Sequence, residues 1–130
     1  MSGPAVTAEG RSILIVEDDR DLREALSEVL RDEGYSVALA GDGREALEQL
    51  RRDVRPALIL LDLTMPVMNG WQFRAEQRED PVLSGIPVVV LSAGEHLAEQ
   101  MVPLGIEDYV HKPIELGKLL RTIERYVDGR

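Results

Sequence analysis

Two short apolar runs, Ile13-Leu14-Ile15-Val16 and Ala57-Leu58-Ile59-Leu60-Leu61, each end on acid: Glu17-Asp18-Asp19 after the first and Asp62 after the second. Ser92 follows Pro87-Val88-Val89-Val90-Leu91 in the same way, and Lys112 stands just beyond Asp108-Tyr109-Val110. Singly, each has an ordinary role, since acidic runs form solvated loops or helix caps and a strand-end Asp commonly closes a turn. As a set they have chemistry. Glu17, Asp18 and Asp62 crowded together would raise the cost of ionising one another unless a cation neutralised them. The ligands on offer are oxygens, the chain has no Cys, and neither His96 nor His111 lies among the acids, so Mg²⁺ or Mn²⁺ suits the set and Zn²⁺ does not. Lys112 supplies a point charge for Asp62 or a phosphoryl oxygen, and the Ser92 hydroxyl can donate to another such oxygen. These are parts of a phosphoryl-transfer site, where alignment and charge neutralisation carry the catalysis. Asp62 is the expected phosphate-accepting carboxylate.

Such a set is useful only if the fold brings the strand ends together. Apolar runs predict strands over 13–16, 37–40, 57–61, 87–91 and 108–110. Helical spacing predicts a helix over 21–30, with Leu22, Ala25, Leu26, Val29 and Leu30 inward and Gly34 as its stop, and a second over 44–51 with Ala46, Leu47 and Leu50 inward. A third is expected over 71–79 and a short fourth over 95–102, halted by Pro103 and Gly105. The last, over 116–127, should turn Leu116, Leu119, Leu120, Ile123 and Val127 to the core, although Tyr126 or Leu116 could instead reach a partner. Alternating strands and helices argue for an α/β fold with a parallel, doubly wound sheet, because parallel neighbours need crossover connections. Near-continuous apolar strands agree, since a strand covered on both faces loses its polar alternation. Sheets of this kind bind ligands beyond the carboxyl ends of their strands, where these residues lie.

Composition limits the other possibilities. The chain has 130 residues and 44% hydrophobic content, enough for one domain with one sizeable core. Its net charge of −9, from 24 acidic against 15 basic residues, repels nucleic acid and anionic membrane, so neither is expected as a partner. Without Cys there are no disulfides or thiolate sites. No secretory signal or membrane span is evident, and a cytoplasmic protein is expected.

The chain resembles the receiver domain of two-component response regulators, as a single-domain regulator of the chemotaxis type. The resemblance rests on Ile13-Leu14-Ile15-Val16-Glu17-Asp18-Asp19, on Leu61-Asp62-Leu63-Thr64-Met65-Pro66-Val67-Met68-Asn69-Gly70, on Val90-Leu91-Ser92-Ala93 and on Asp108-Tyr109-Val110-His111-Lys112-Pro113. It implies a five-stranded flavodoxin-like sheet of order 2-1-3-4-5, a receiver domain over 12–127 and short tails at 1–11 and 128–130. It also implies a regulatory phosphoacceptor rather than an enzyme. Asp62 would take a phosphoryl group from the phosphohistidine of a sensor histidine kinase or a histidine phosphotransfer protein. Asp18, Asp62 and the backbone carbonyl of Thr64 would bind Mg²⁺ directly, and Glu17 through a water. Lys112 would contact the phosphoryl group, Ser92 would close onto it, Tyr109 would change rotamer in response, and Lys112-Pro113 would be cis. A downstream protein would read the change on the fourth helix, fifth strand and fifth helix.

The chain departs from the family pattern in places. The stretch from Ser92 to Tyr109 is short and holds Gly94 and Pro103, which predicts a short or displaced fourth helix. Gly94 leaves no side chain over the phosphoryl site, so easier water access and a phosphoryl lifetime that is not unusually long are expected. Trp71 is expected to cover packing surface on the third helix. A free regulator and a receiver cut from a hybrid kinase would read alike. An aspartyl phosphohydrolase is disfavoured, because the second acid it needs two residues after the nucleophile is replaced by Thr64.

Overall fold

Five strands form one parallel sheet of order β2-β1-β3-β4-β5: β1 (Ser12–Val16), β2 (Ser36–Ala40), β3 (Leu58–Asp62), β4 (Val88–Ser92) and β5 (Asp108–His111). This computed structural model describes residues 11–52, 54–93, 99, 101–106 and 108–127. The helices are α1 (Arg20–Asp32), α2 (Gly43–Arg52), α3 (Gly70–Glu79) and α4 (Leu116–Val127). The sheet order is the one that the resemblance implied.

The apolar runs alternate between two cores. Ile13, Ile15, Leu58, Leu60, Val89 and Leu91 pack with α1 and α4, whereas Leu14, Val16, Ile59, Leu61, Val88 and Val90 pack with α2 and α3. Both faces are therefore covered, and each fully buried aliphatic side chain contributes about 1.5–3 kcal/mol. Most inward residues stand as their spacing predicted, with two exceptions. Ala25 is exposed on α1, and Leu116 is 45% exposed at the first turn of α4, where the helix has only begun to meet the sheet.

Local signals set the helix ends. The Asp19 side chain accepts from Leu22 N at 3.1 Å to open α1, and Gly34, at φ +98°, takes the left-handed turn that follows it. At α3, Asn69 and Gln72 exchange side-chain and backbone bonds of 2.9 and 3.0 Å in a reciprocal cap. Three strands extend one residue past the expected runs: β5 ends on His111, and Asp62 and Ser92 are the last residues of β3 and β4 rather than the first beyond them. Ladder pairing of Asp62 with Leu91 and of Ser92 with His111 depends on the backbone, not on side-chain polarity.

Most of the helix expected over 95–102, with Gly94 and His96, lies outside the described residues, as do residues 1–10 and 128–130 of the expected tails. At the end of that helix, Val102–Leu104 forms a 3₁₀ turn containing Pro103, and Gly105 caps it at φ 66°. Pro103 cannot donate to a continuing helix, which accounts for the tightening there.

Candidate functional site

The carboxyl ends of β1, β3, β4 and β5 border one open cleft, lined by Glu17, Asp18, Asp19, Asp62, Thr64, Ser92, Ala93 and Lys112. Each residue singled out by type and spacing, except Tyr109, is among them. Tyr109 sits on β5, half-buried, with its ring edge-on to His111 at 5.3 Å.

Glu17 is fully buried, and the chain around it is pinned. Its N–H donates to Ala40 O at 3.0 Å, its carbonyl accepts from Arg23 Nη1 at 2.8 Å, and its Oε2 accepts from Asp19 N at 3.1 Å. Its Oε1 is buried and meets no partner with hydrogen-bond geometry among the described residues; Lys112 Nζ, 2.8 Å away, balances its charge. The same ammonium is 3.6 Å from Asp62 Oδ2, while Asp62 Oδ1 accepts from Thr64 N at 3.2 Å. Lys112 thus stands closer to Glu17 than to the Asp62 partner its type suggested. Ser92 Oγ donates to Ala93 O at 3.1 Å, and Ser92 O accepts from Lys112 N at 2.9 Å, so β4 and the start of the next loop are tied together. The Lys112-Pro113 peptide is cis.

The electrostatics follow from this packing. Burial, then the adjacent Glu17 charge, push the Asp62 carboxyl up to about 7, against the opposing pull of Lys112 and the Thr64 amide. Burial opposes the Lys112 charge, but the Glu17 and Asp62 carboxylates outweigh it and hold the ammonium above its ordinary value. One cation for two buried acids and an exposed third leaves the cluster short of positive charge.

That shortfall is the test of whether a divalent ion suits the site. Carboxylate oxygens of Glu17, Asp18 and Asp62 lie within 4.8 Å of one another, and among the described residues the Lys112 ammonium beside Glu17 Oε1 is shared with Asp62. An all-oxygen set with open approach through Asp18 fits a hard cation such as Mg²⁺.

Sequence reasoning gave no role at this site to two residues that shape it: Gly70, quoted within a motif, and Gly43. A Cβ at Gly70 would fall 2.7 Å from Asp62 O, and one at Gly43 would fall 2.8 Å from Met68 O. Glycine in a turn signals only backbone freedom; the close approach of another loop has no mark in the sequence. Trp71, expected on a packing surface, is instead exposed.

Fold and cleft together define a class of doubly wound α/β domain with an acidic site at the carboxyl edge of its sheet, and comparison with known proteins gives the family. The chain belongs to the response regulator receiver domain family, whose profile matches residues 13–124. It is 41% identical over 113 residues to the DNA-binding response regulator MtrA of Mycobacterium tuberculosis, a match covering 85% of this chain and 48% of that protein. The chain spans about half the length of the curated relatives it matches. Among solved structures it is similar to the receiver domain of a signal transduction histidine kinase from Syntrophus aciditrophicus, with TM-score 0.83 and 32% identity over 91% of this chain and 90% of that one. It is also similar to the receiver domain of sensor histidine kinase PA1611 from Pseudomonas aeruginosa, described with a magnesium ion coordinated in its active-site cleft (TM-score 0.82, 30% identity, 91% and 98% covered).

Proposed function

We propose that this receiver is the phosphoacceptor of a two-component or phosphorelay pathway, with Asp62 taking a phosphoryl group from a phosphohistidine of a sensor histidine kinase or a histidine phosphotransfer protein. The observation that carries this reading is the meeting of three carboxylates within 4.8 Å beside the Lys112 ammonium, at the carboxyl edge of a parallel sheet. Asp18, Asp62 and the Thr64 carbonyl would hold Mg²⁺, with Glu17 acting through a water; Mn²⁺ suits the same oxygens. When bound, the ion neutralises the cluster and offers a coordination position to a phosphoryl oxygen.

The chain's own residues do the rest. A carboxylate oxygen of Asp62 attacks phosphorus, the P–N bond to the donor histidine breaks as the new P–O bond forms, and the imidazole nitrogen leaves with the electron pair. The Lys112 ammonium follows the new charge from Glu17 and Asp62 to a phosphoryl oxygen. The Ser92 hydroxyl exchanges the Ala93 carbonyl for another, and Tyr109 takes up the space that Ser92 leaves. This motion reaches β5 and α4, which with the helix expected over 95–102 would be where a downstream protein reads it. A net charge of −9 favours a protein reader over nucleic acid or membrane for this segment. The similarity to histidine-kinase receivers supports a second reading, the same chemistry inside a longer kinase chain.

Beryllofluoride, which occupies the place of a phosphoryl group, tests the switch by NMR. Amide resonances from Asp62 and Thr64 through Tyr109 and Tyr126 are expected to shift in the wild type and not in Asp62→Asn. Shifts confined to the Asp62 loop, with β5 and α4 unmoved, would contradict it.

A further inference from the structure

We infer that Gly43, at the start of α2 and outside the acidic cleft, is a positioning residue for the metal and phosphoryl site, acting through the loop that joins Asp62 to α3. The inference rests on the reading of that site proposed above.

The loop is strained. Val67 has φ 66°, and Met68 N donates to Pro66 O at 2.7 Å, so the chain makes a three-residue γ-turn centred on a β-branched residue in the left-handed region. Such a residue persists only where its surroundings over-determine it. Solvent cannot supply that restraint, since the Val67 side chain is 72% exposed. The restraint comes from the two sides of the turn. Gly70 N donates to Leu63 O at 3.0 Å and closes the base of the loop, while Gly43 N donates to Met68 O at 2.9 Å and holds its tip.

This second bond exists because Gly43 has no side chain. A Cβ there would lie 2.8 Å from both Met68 Cγ and Met68 O, and 3.0 Å from Phe73 Cβ. Phe73 is fully buried and cannot yield, so the displacement falls on Met68. The way out toward Thr64 runs through Val67, held in the narrow positive-φ region, and Pro66, whose ring fixes φ, so neither has room to absorb it. Thr64 therefore moves, and with it the amide that bonds Asp62 Oδ1 and the carbonyl proposed above as a Mg²⁺ ligand.

Calorimetric titration with Mg²⁺, paired with thermal melts, separates positioning from stability. Wild-type protein is expected to bind. Gly43→Ala is expected to bind about tenfold more weakly, the size of effect usual for residues that orient ligands from behind. Its Thr64 and Asp62 amide shifts should differ from wild type before metal is added. Gly85→Ala, whose added Cβ meets nothing within 4 Å, should bind as wild type does. Val67→Gly loosens the turn from its other side without overpacking: it should melt higher and yet bind Mg²⁺ less tightly, opposite signs that loss of folded protein does not produce. Wild-type affinity in Gly43→Ala overturns the inference, whatever its melting temperature; should that variant not fold, wild-type affinity in Val67→Gly overturns it instead. A wild type that binds no Mg²⁺ removes the reading of the site itself, and the inference with it.

Discussion

Asp62 is held where its charge is least comfortable, 4% exposed and beside the buried Glu17. Its carboxyl titrates near about 7 in the folded chain, against an ordinary value of 3.8. The folded state therefore holds this proton more tightly than the unfolded one. The associated stability is complete below about pH 4 and is lost as pH rises through 7. In metal-free buffer at pH 8, Asp62→Asn is expected to be more stable than wild type by about 1–3 kcal/mol, because a buried ionised group is replaced by a neutral one of the same shape. The gap should close toward pH 5, where wild-type Asp62 is protonated. Melting curves in chelator across that range check it, and a gap independent of pH would count against the assigned environment. The residues of this cluster were legible in the sequence because acid after an apolar strand is conspicuous. The Lys112 to Glu17 contact was not, since nothing in the spacing says which of two acids is nearer.

Between α3 and the end of the β4 to β5 crossover, two arginines hold three consecutive carbonyls. Arg74 Nε and Nη2 donate to Leu104 O and Gly105 O at 2.9 and 3.3 Å, and Arg78 Nη1 donates to Pro103 O at 3.0 Å. Arg74 Nη1 also donates to Oε1 of the fully buried Gln77, whose amide bonds Leu83 O and Ile86 O. Burial, then the Arg78 charge, hold the Arg74 guanidinium below its ordinary value, so the clasp is formed against electrostatic resistance. Arg74→Ala should cost about 1–3 kcal/mol by stranding these acceptors. It should also speed amide exchange at Gly105 and Ile106 more than elsewhere in the sheet, and Arg74→Lys should not restore protection, because an ammonium lacks the planar fork. Uniform exchange across the molecule would argue that the clasp is not local. None of this was legible in advance, since nothing in the types or spacing of Arg74, Gln77 and Arg78 marks which later carbonyls they meet. The strands, in contrast, were read to within a residue or two because burial on both faces leaves a continuous apolar run. The left-handed Val67 runs against its own propensity, so tertiary contacts, not local sequence, put it there.

Across the molecule, the parallel sheet separates apolar packing from the proposed chemistry. The two apolar layers on its faces account for the strand sequences, while the acids, Ser92 and Lys112 gather at one edge, outside both layers. Sheet order was reached by resemblance rather than by periodicity, which fixes what each element is but not which strands are neighbours. The stretch between Ser92 and Tyr109, expected to depart from the family pattern, lies partly outside the described residues. The central claim is that this edge is a phosphoacceptor site built on Asp62. Incubation with Mg²⁺ and acetyl phosphate, followed by intact-mass analysis, tests it most directly. The account predicts one added phosphoryl group that disappears when Mg²⁺ is chelated and is absent in Asp62→Asn; a phosphoryl group retained by that variant, or none taken up by the wild type, would contradict it.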